Sequence, residues 1–397
     1  MQIGLLGKTN VGKSTFFSAA TQTTAQIGNY PFTTIKPNIG IAYAKSDCAC
    51  KHFRLNHSHQ LCIKGIRYIP VKLIDVAGLV PGAHEGKGLG NKFLDDARQA
   101  QVLIHVVDAS GSTDLQGQPV PAGSHNPLED VKFVEEEFDQ WMIQILQREW
   151  HKLTRELDGK SGKIIHSITQ RFSGLGIDEY DIEIALHHLN LQTKKPHEWS
   201  NQDVFSFVKE LRKKTRPIII AANKADLYHD LKILDEFKKI HNTIACSAET
   251  ELLLRKAAKS GLIDYLPGEK SFKIKDAVNL SPSQQKALNL AEKVLSRLDG
   301  TGVQQILDSA CFDLLKLIVV FPVEDETKLC NKDGEVLPDA KLLPPGSTAR
   351  DLARAVHEDL ATGFLHAVDA KTKQRVGAEH QLKNGDVLKI VSTLSRG

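Results

Sequence analysis

Residues 7–14 read Gly7-Lys8-Thr9-Asn10-Val11-Gly12-Lys13-Ser14, a complete G-x-x-x-x-G-K-S. The apolar run QIGLLG at 2–7 leads into it and reads as a buried strand, and 13–24 reads as a helix. A strand, a glycine-rich loop and a helix in that order are the setting the motif requires. Backbone N–H groups of the loop and of the helix N-terminus then converge on an anion. In that setting residues 7–14 and Thr15 would cradle the phosphates of a nucleotide. Lys13 would reach the β and γ oxygens, and the Ser14 hydroxyl would ligate Mg2+.

Three further apolar runs, at 71–76 (VKLIDV), 102–107 (VLIHVV) and 218–222 (IIIAA), read as buried parallel strands, and 91–100 as a helix between two of them. The alternation predicts a doubly wound, mainly parallel α/β sheet. Asp75-Val76-Ala77-Gly78 closes the second run. Its carboxylate is placed to hold Mg2+, and the Gly78 N–H to sense a γ-phosphate. Asn223-Lys224-Ala225-Asp226 closes the fourth run. The Asp226 carboxylate can accept from both N1–H and the 2-amino group of guanine, a pair of donors that adenine lacks. Ser247-Ala248 fits the loop that backs the base. Thr34, with Thr33 as the fallback, would complete the magnesium shell when a γ-phosphate is present. The expected ligands are therefore GTP and GDP.

Beyond 128 the pattern changes. Val131, Val134, Phe138, Trp141 and Ile145 recur at helical spacing, and further stripes run through Ile168, Leu186 and Leu211. We expect a G domain in two parts, 1–128 and 216–317, a helical insertion at 129–215 that could recruit a protein partner, and a β-rich tail at 318–397 resembling a β-grasp module. In the tail, 318–323, 364–368 and 387–393 read as strands and Thr348 to Leu360 as a helix. The net charge is only +3, but 1–128 holds twelve Lys and Arg against seven Asp and Glu, a surplus that suits a triphosphate or nearby RNA. No run of eighteen apolar residues exists, so no membrane partner and a cytoplasmic location are expected. The six cysteines should be reduced there.

The strings NYPFTTI at 29–35 and DVAGLVPGAHEGKGLGNKFL at 75–94, with the tail that begins near 318, resemble the Obg-related GTPases of the YchF-like branch that end in a TGS domain. The resemblance covers nearly the whole chain. It implies a P-loop G domain with a helical insertion, a C-terminal TGS domain, slow GTP hydrolysis and a role near the ribosome, RNA or translation. Relatives in this branch often lack the guanine-reading aspartate and use ATP; here Asp226 is present. The stretch 46–66 departs from the family pattern.

Ras-type GTPases place a water-orienting glutamine after D-x-x-G. Here Leu79 stands there, so hydrolysis should be slow or use another group. His84 and His125 are the candidate water-orienting residues, each set against a plain loop histidine. Asn10 could help hold K+, set against a loop-shaping role. A nucleotide-gated adaptor that barely hydrolyses is the competing reading. Cys48, Cys50 and Cys62 crowd one stretch with His52, His57 and His59. The C-x-C spacing is not that of a zinc knuckle, so this reads as a polar, histidine-rich surface loop, with a zinc site as the alternative. Lys371, Lys373 and Arg375 form a basic cluster that could touch RNA or remain a solvated turn.

Overall fold

The structure is a computed structural model of the 397-residue chain. It describes residues 1–22, 34–36, 39–55, 59–76, 82, 98–148, 150, 154, 161–227, 232–276 and 279–394. Strand β1 (Gln2–Leu6) runs into helix α1 (Lys13–Thr21). Strands β2 (Thr34–Lys36), β3 (Ile39–Asp47), β4 (Cys62–Ile63), β5 (Ile66–Asp75), β6 (Val102–Asp108), β7 (Ile218–Asn223) and β8 (Thr243–Ala245) join β1 in one eight-stranded sheet. Its order is β2-β3-β5-β1-β6-β7-β8, with β4 paired to β5. From β5 to β8 the pairs are parallel, as the unbroken apolar runs require, because both faces are covered. The four strands expected from sequence are present. The expected helix at 91–100 falls largely outside the described residues.

One large element was not anticipated. Strand β3 pairs antiparallel with β5 along its whole length, from Ile39 opposite Ile74 to Asp47 opposite Ile66. Its sequence, IGIAYAKSD, shows little alternation because Ile41 to Ala44 are all buried. A short helix α2 (Ala49–Phe53) and strand β4 follow at the far end of this pair.

Between β6 and β7 stand helices α3 (Pro127–Gln147), α4 (Ser161–Phe172), α5 (Glu179–His188) and α6 (Asn201–Thr215). Local chemistry sets where they begin. Asn126 accepts from the Leu128 N–H with Pro127 in the first turn, and Asp178 and Ser200 each form a capping box. The helices share one core with the sheet, in which Val134 and Phe138 meet Leu6, Ile74 and Leu103. The Trp150 and Trp199 rings sit 5.6 Å apart in that core, and Phe207 lies 5.4 Å beyond Trp199. Arg212 of α6 and Asp139 of α3, both buried, pair at 2.5 Å. Losing one partner of such a pair would strand a buried charge, at about 3–5 kcal/mol.

In the tail, β9 (Ile318–Val323), β10 (Lys341–Leu343), β11 (Phe364–Asp369), β12 (Arg375–Val376) and β13 (Asp386–Ser392) form a second sheet in the order β10-β9-β13-β11-β12. Strands β9 and β13 are parallel and the other pairs antiparallel, with Leu352 from the helix Ala349–Val356 packed into the same core. Thr348 caps that helix with Asp351. The expected helix to Leu360 is instead broken at His357, whose extended backbone lets its Nδ1 accept from the Asp359 N–H and start a second short helix, Glu358–Thr362. The basic cluster is partly spent within the tail. Lys373 donates to the Glu326 carbonyl at 2.5 Å, and Lys371 lies 3.9 Å from Asp386. Among the described residues no helix is long and apolar enough to cross a membrane.

Candidate nucleotide site

The loop 7–14 sits between the C-terminal end of β1 and helix α1. Two of its residues must be glycine. Gly7 has φ 141°, and a Cβ there would lie 2.4 Å from the Val106 carbonyl oxygen. Gly12 has φ 94°, and a Cβ would lie 2.4 Å from Asn223 Nδ2. Gly12 also begins α1 without any side-chain cap, so the first N–H groups of that helix are left for an anion. The Lys13 ammonium folds back over the loop and donates to the carbonyls of Gly7 at 2.9 Å and Lys8 at 2.6 Å. Burial lowers its pKa to about 8, against the pull of Asp75.

At the end of β5 the Ser14 hydroxyl approaches Asp75 Oδ2 at 3.4 Å, while Asp75 Oδ1 is buried without a partner. Burial pushes this carboxyl above its usual range, and Lys13 and Ser14 pull it back. A buried, unpartnered carboxylate oxygen beside a serine hydroxyl is a donor set that fits Mg2+. The backbone of Thr34 opens β2 opposite Gly40. Thr33, Gly78, Leu79 and His84 lie outside the described residues.

Asn223 joins the loop 7–14 to the turn before helix Ala248–Lys259. Its Nδ2 donates to the Val11 carbonyl at 2.9 Å, and its Oδ1 accepts from the Ala248 N–H at 3.0 Å. Ser247 is buried; its hydroxyl accepts from the Thr250 N–H at 3.3 Å and caps helix Ala248–Lys259. Asp226 stands half-buried on the turn Ala225–Leu227, next to Lys224 at φ 58°. The Lys224 ammonium reaches Asp108 Oδ2 at 2.8 Å.

Asp108, which holds Lys224 in this region, is a residue that sequence reasoning missed. Burial works to raise its pKa, yet hydrogen bonds from Lys224, Ser110 and Ser112 hold it below the usual carboxylate range. Thr113 adds a further bond at 3.0 Å. The signal was present as an aspartate ending an apolar strand and followed by Ser110, Ser112 and Thr113.

The chain from Thr113 to Gly117 also closes on the phosphate loop. Asn10 Nδ2 donates to the Gly117 carbonyl at 2.8 Å, and the Thr9 hydroxyl donates to that of Gln116 at 3.2 Å. Lys8 is buried. Its ammonium donates to the Thr113 carbonyl at 2.9 Å and lies 2.7 Å from Asp130 in the first turn of α3. His125 Nε2 lies 2.9 Å from the other Asp130 oxygen. The structure thus ties His125 and the Lys8 side chain into an ion-pair cluster; what Lys8 can offer a phosphate is its backbone N–H.

The three cysteines are also placed differently from the surface-loop expectation. Cys48, Cys50 and Cys62 are buried and their sulfurs all lie within 4.8 Å of one another. The physical reason is β4, which folds back on β5 and brings Cys62 over the turn that carries the other two.

Lys13 gives the site a pH signature. A bound polyphosphate favours the charged ammonium and raises its pKa. Below about pH 8 the free and bound states carry the same proton and affinity is flat. As pH rises above about 8, binding must take up a proton and affinity falls by up to tenfold per pH unit. Calorimetric GTP titrations in two buffers of different ionisation enthalpy should detect that proton uptake. Equal apparent enthalpies in the two buffers at about pH 9 would contradict it.

Comparison with known proteins gives a consistent result. Residues 2–147 match a family model described as 50S ribosome-binding GTPase, 221–325 one described as the G4 motif-containing domain of Obg-like GTPase YGR210-like, and 333–392 the TGS domain. The chain is 49% identical to an uncharacterized GTP-binding protein of Methanocaldococcus jannaschii, over 98% of both chains. It is 26% identical to the ribosome-binding ATPase YchF of Buchnera aphidicola, over 97% of both. The crystal structure of a GTP-binding protein from Pyrococcus horikoshii is similar at a TM-score of 0.76, with 41% identity over 99% of this chain and 100% of that one.

Proposed function

Because this chain belongs to the Obg-like GTPases of the YchF/YGR210 type, with a G domain and a C-terminal TGS domain, we propose that it hydrolyses GTP slowly to GDP and phosphate and acts as a ribosome-associated switch in the cytoplasm. The observation that carries the reading is Asn223, which bonds the phosphate loop at Val11 and the base loop at Ala248 at once. Triphosphate and guanine are thereby read at a fixed spacing. Loop N–H groups and Lys13 bind the β and γ oxygens, and Asp226 selects guanine. Ser14, Asp75 and Thr34 would hold Mg2+, which supplies charge neutralisation when bound. Leu79 can orient no water, which supports a slow intrinsic rate and keeps a nucleotide-gated adaptor as the second reading. With His125 engaged by Asp130, His84 is the better candidate to orient water. The ribosome assignment rests on the printed description of the matching family and on a relative's name. A protein partner at the helices between β6 and β7 belongs to the same proposal.

Single-turnover hydrolysis tests this. The isolated chain should turn over far below the ~10 s⁻¹ of ordinary enzymes, and ribosomes should accelerate it. His84→Ala should cost about 10²–10⁴-fold if that imidazole positions water. If Asn10 helps hold K+, exchanging K+ for Na+ slows hydrolysis, and Asn10→Ala removes the difference. An unaided rate near ~10 s⁻¹ refutes the switch. No hydrolysis with ribosomes present leaves the adaptor.

A further inference from the structure

Far from the phosphate loop, the β3–β5 pair ends in the three cysteines. Cys48 follows β3 directly, Cys50 lies in the first turn of α2, and Cys62 stands in β4 opposite Arg67. Cys50 Sγ and Cys62 Sγ are 3.8 Å apart. Two thiolates on one zinc at about 2.3 Å each, at a tetrahedral angle, also stand about 3.8 Å apart. That spacing is almost twice the ~2.05 Å of a sulfur–sulfur bond.

Arg67 supplies a second, independent observation. It is 1% exposed, its Nη2 lies 3.7 Å from Cys48 Sγ, and the same nitrogen donates to the Leu337 carbonyl of the tail at 2.6 Å. The Phe321 ring, also from the tail, lies 5.7 Å from the guanidinium. Among the described residues its partners are His59, Cys48, Leu337 and Phe321, none of them a carboxylate. A guanidinium stays charged, and a buried charge needs a counter-charge. Three thiolates, one divalent cation and Arg67 sum to zero. A monovalent ion in the same cage would leave a buried negative charge.

We infer that Cys48, Cys50 and Cys62 form a three-thiolate site for one zinc-class divalent cation, set where the β3–β5 pair meets the tail. Among the described residues three ligands are available, one short of the usual tetrahedral set. The surrounding core draws on both sides of that junction: Ile69 from β5, and Val319, Phe321 and Leu337 from the tail. The cation would hold α2 to β4, beneath the tail residues that Arg67 and this core contact.

Metal analysis of the full chain, purified under reducing conditions without added metal, should find one zinc per chain. Wild-type protein stripped of metal and titrated with CoCl2 should develop a thiolate-to-cobalt charge-transfer band and the visible bands of tetrahedral cobalt at one equivalent. ZnCl2 should bleach both. Cys50→Ser and Cys62→Ser should each weaken the band, compared only in variants that bind GTP as the parent does. The wild-type titration stands without any variant: stripped protein that gains no charge-transfer band overturns the site. So does a band that persists when all three cysteines are serine. A chain that takes copper(I) and refuses zinc overturns the divalent assignment.

Discussion

Lys13→Ala is expected to leave the chain folded and to weaken GTP binding by about 3–6 kcal/mol, the worth of two hydrogen bonds to charged oxygens. Among the described residues the ammonium donates to the Gly7 and Lys8 carbonyls. Removing it takes from Asp75 one of the charges that offset its burial, but the loop keeps Asn223 and Gly12 as its supports. Burial already depresses its pKa to about 8, so the folded chain holds this charge under tension that a triphosphate relieves. Titration with a fluorescent GTP analogue, with thermal unfolding as the fold control, measures the loss. Hydrolysis at the parent rate would show that the loop is not the site.

Asp226→Asn should weaken guanine nucleotide binding by about 2–4 kcal/mol and improve binding of xanthine nucleotides, because a donor replaces an acceptor. The scaffold should survive. Lys224 is held by Asp108, and Asn223 by Val11 and Ala248, so neither depends on the Asp226 carboxylate. The parent should prefer GTP to ATP by a comparable factor. This separates the chain from the relative named as an ATPase. Equal affinity of the parent for ATP and GTP would remove the base-reading argument.

The parts of this site legible in the sequence were those written within a few residues. The glycine-rich loop, Asp75 and Asn223 to Asp226 each follow a run of buried, branched residues, and period alone locates them. What stayed hidden depends on pairing across the chain. Lys8 meets Asp130, and Arg67 meets Leu337, over separations that no local pattern encodes. Strand β3 escaped because Gly40, Ala42 and Ala44 carry weak strand preference and both its faces are covered. The cysteines were misjudged for the same reason. Spacing rules weigh neighbours in sequence, and Cys62 becomes a neighbour only after β4 folds onto β5. At His357 a helical stripe was real, but the imidazole's bond to the Asp359 N–H won over helix continuation.

The crowding of Trp150 and Trp199 against Phe207 makes the molecule its own optical instrument. The chain has three tryptophans, Trp141, Trp150 and Trp199, and all three fall between β6 and β7. Excited at the indole edge, the protein emits from its helical layer alone; the phosphate loop and the tail are dark. Yet Lys8 of that dark loop is clasped by Asp130 in the first turn of the helix that carries Trp141. A change in emission on mixing with GTP, with no label attached, would time how fast a change at the loop reaches the helical layer.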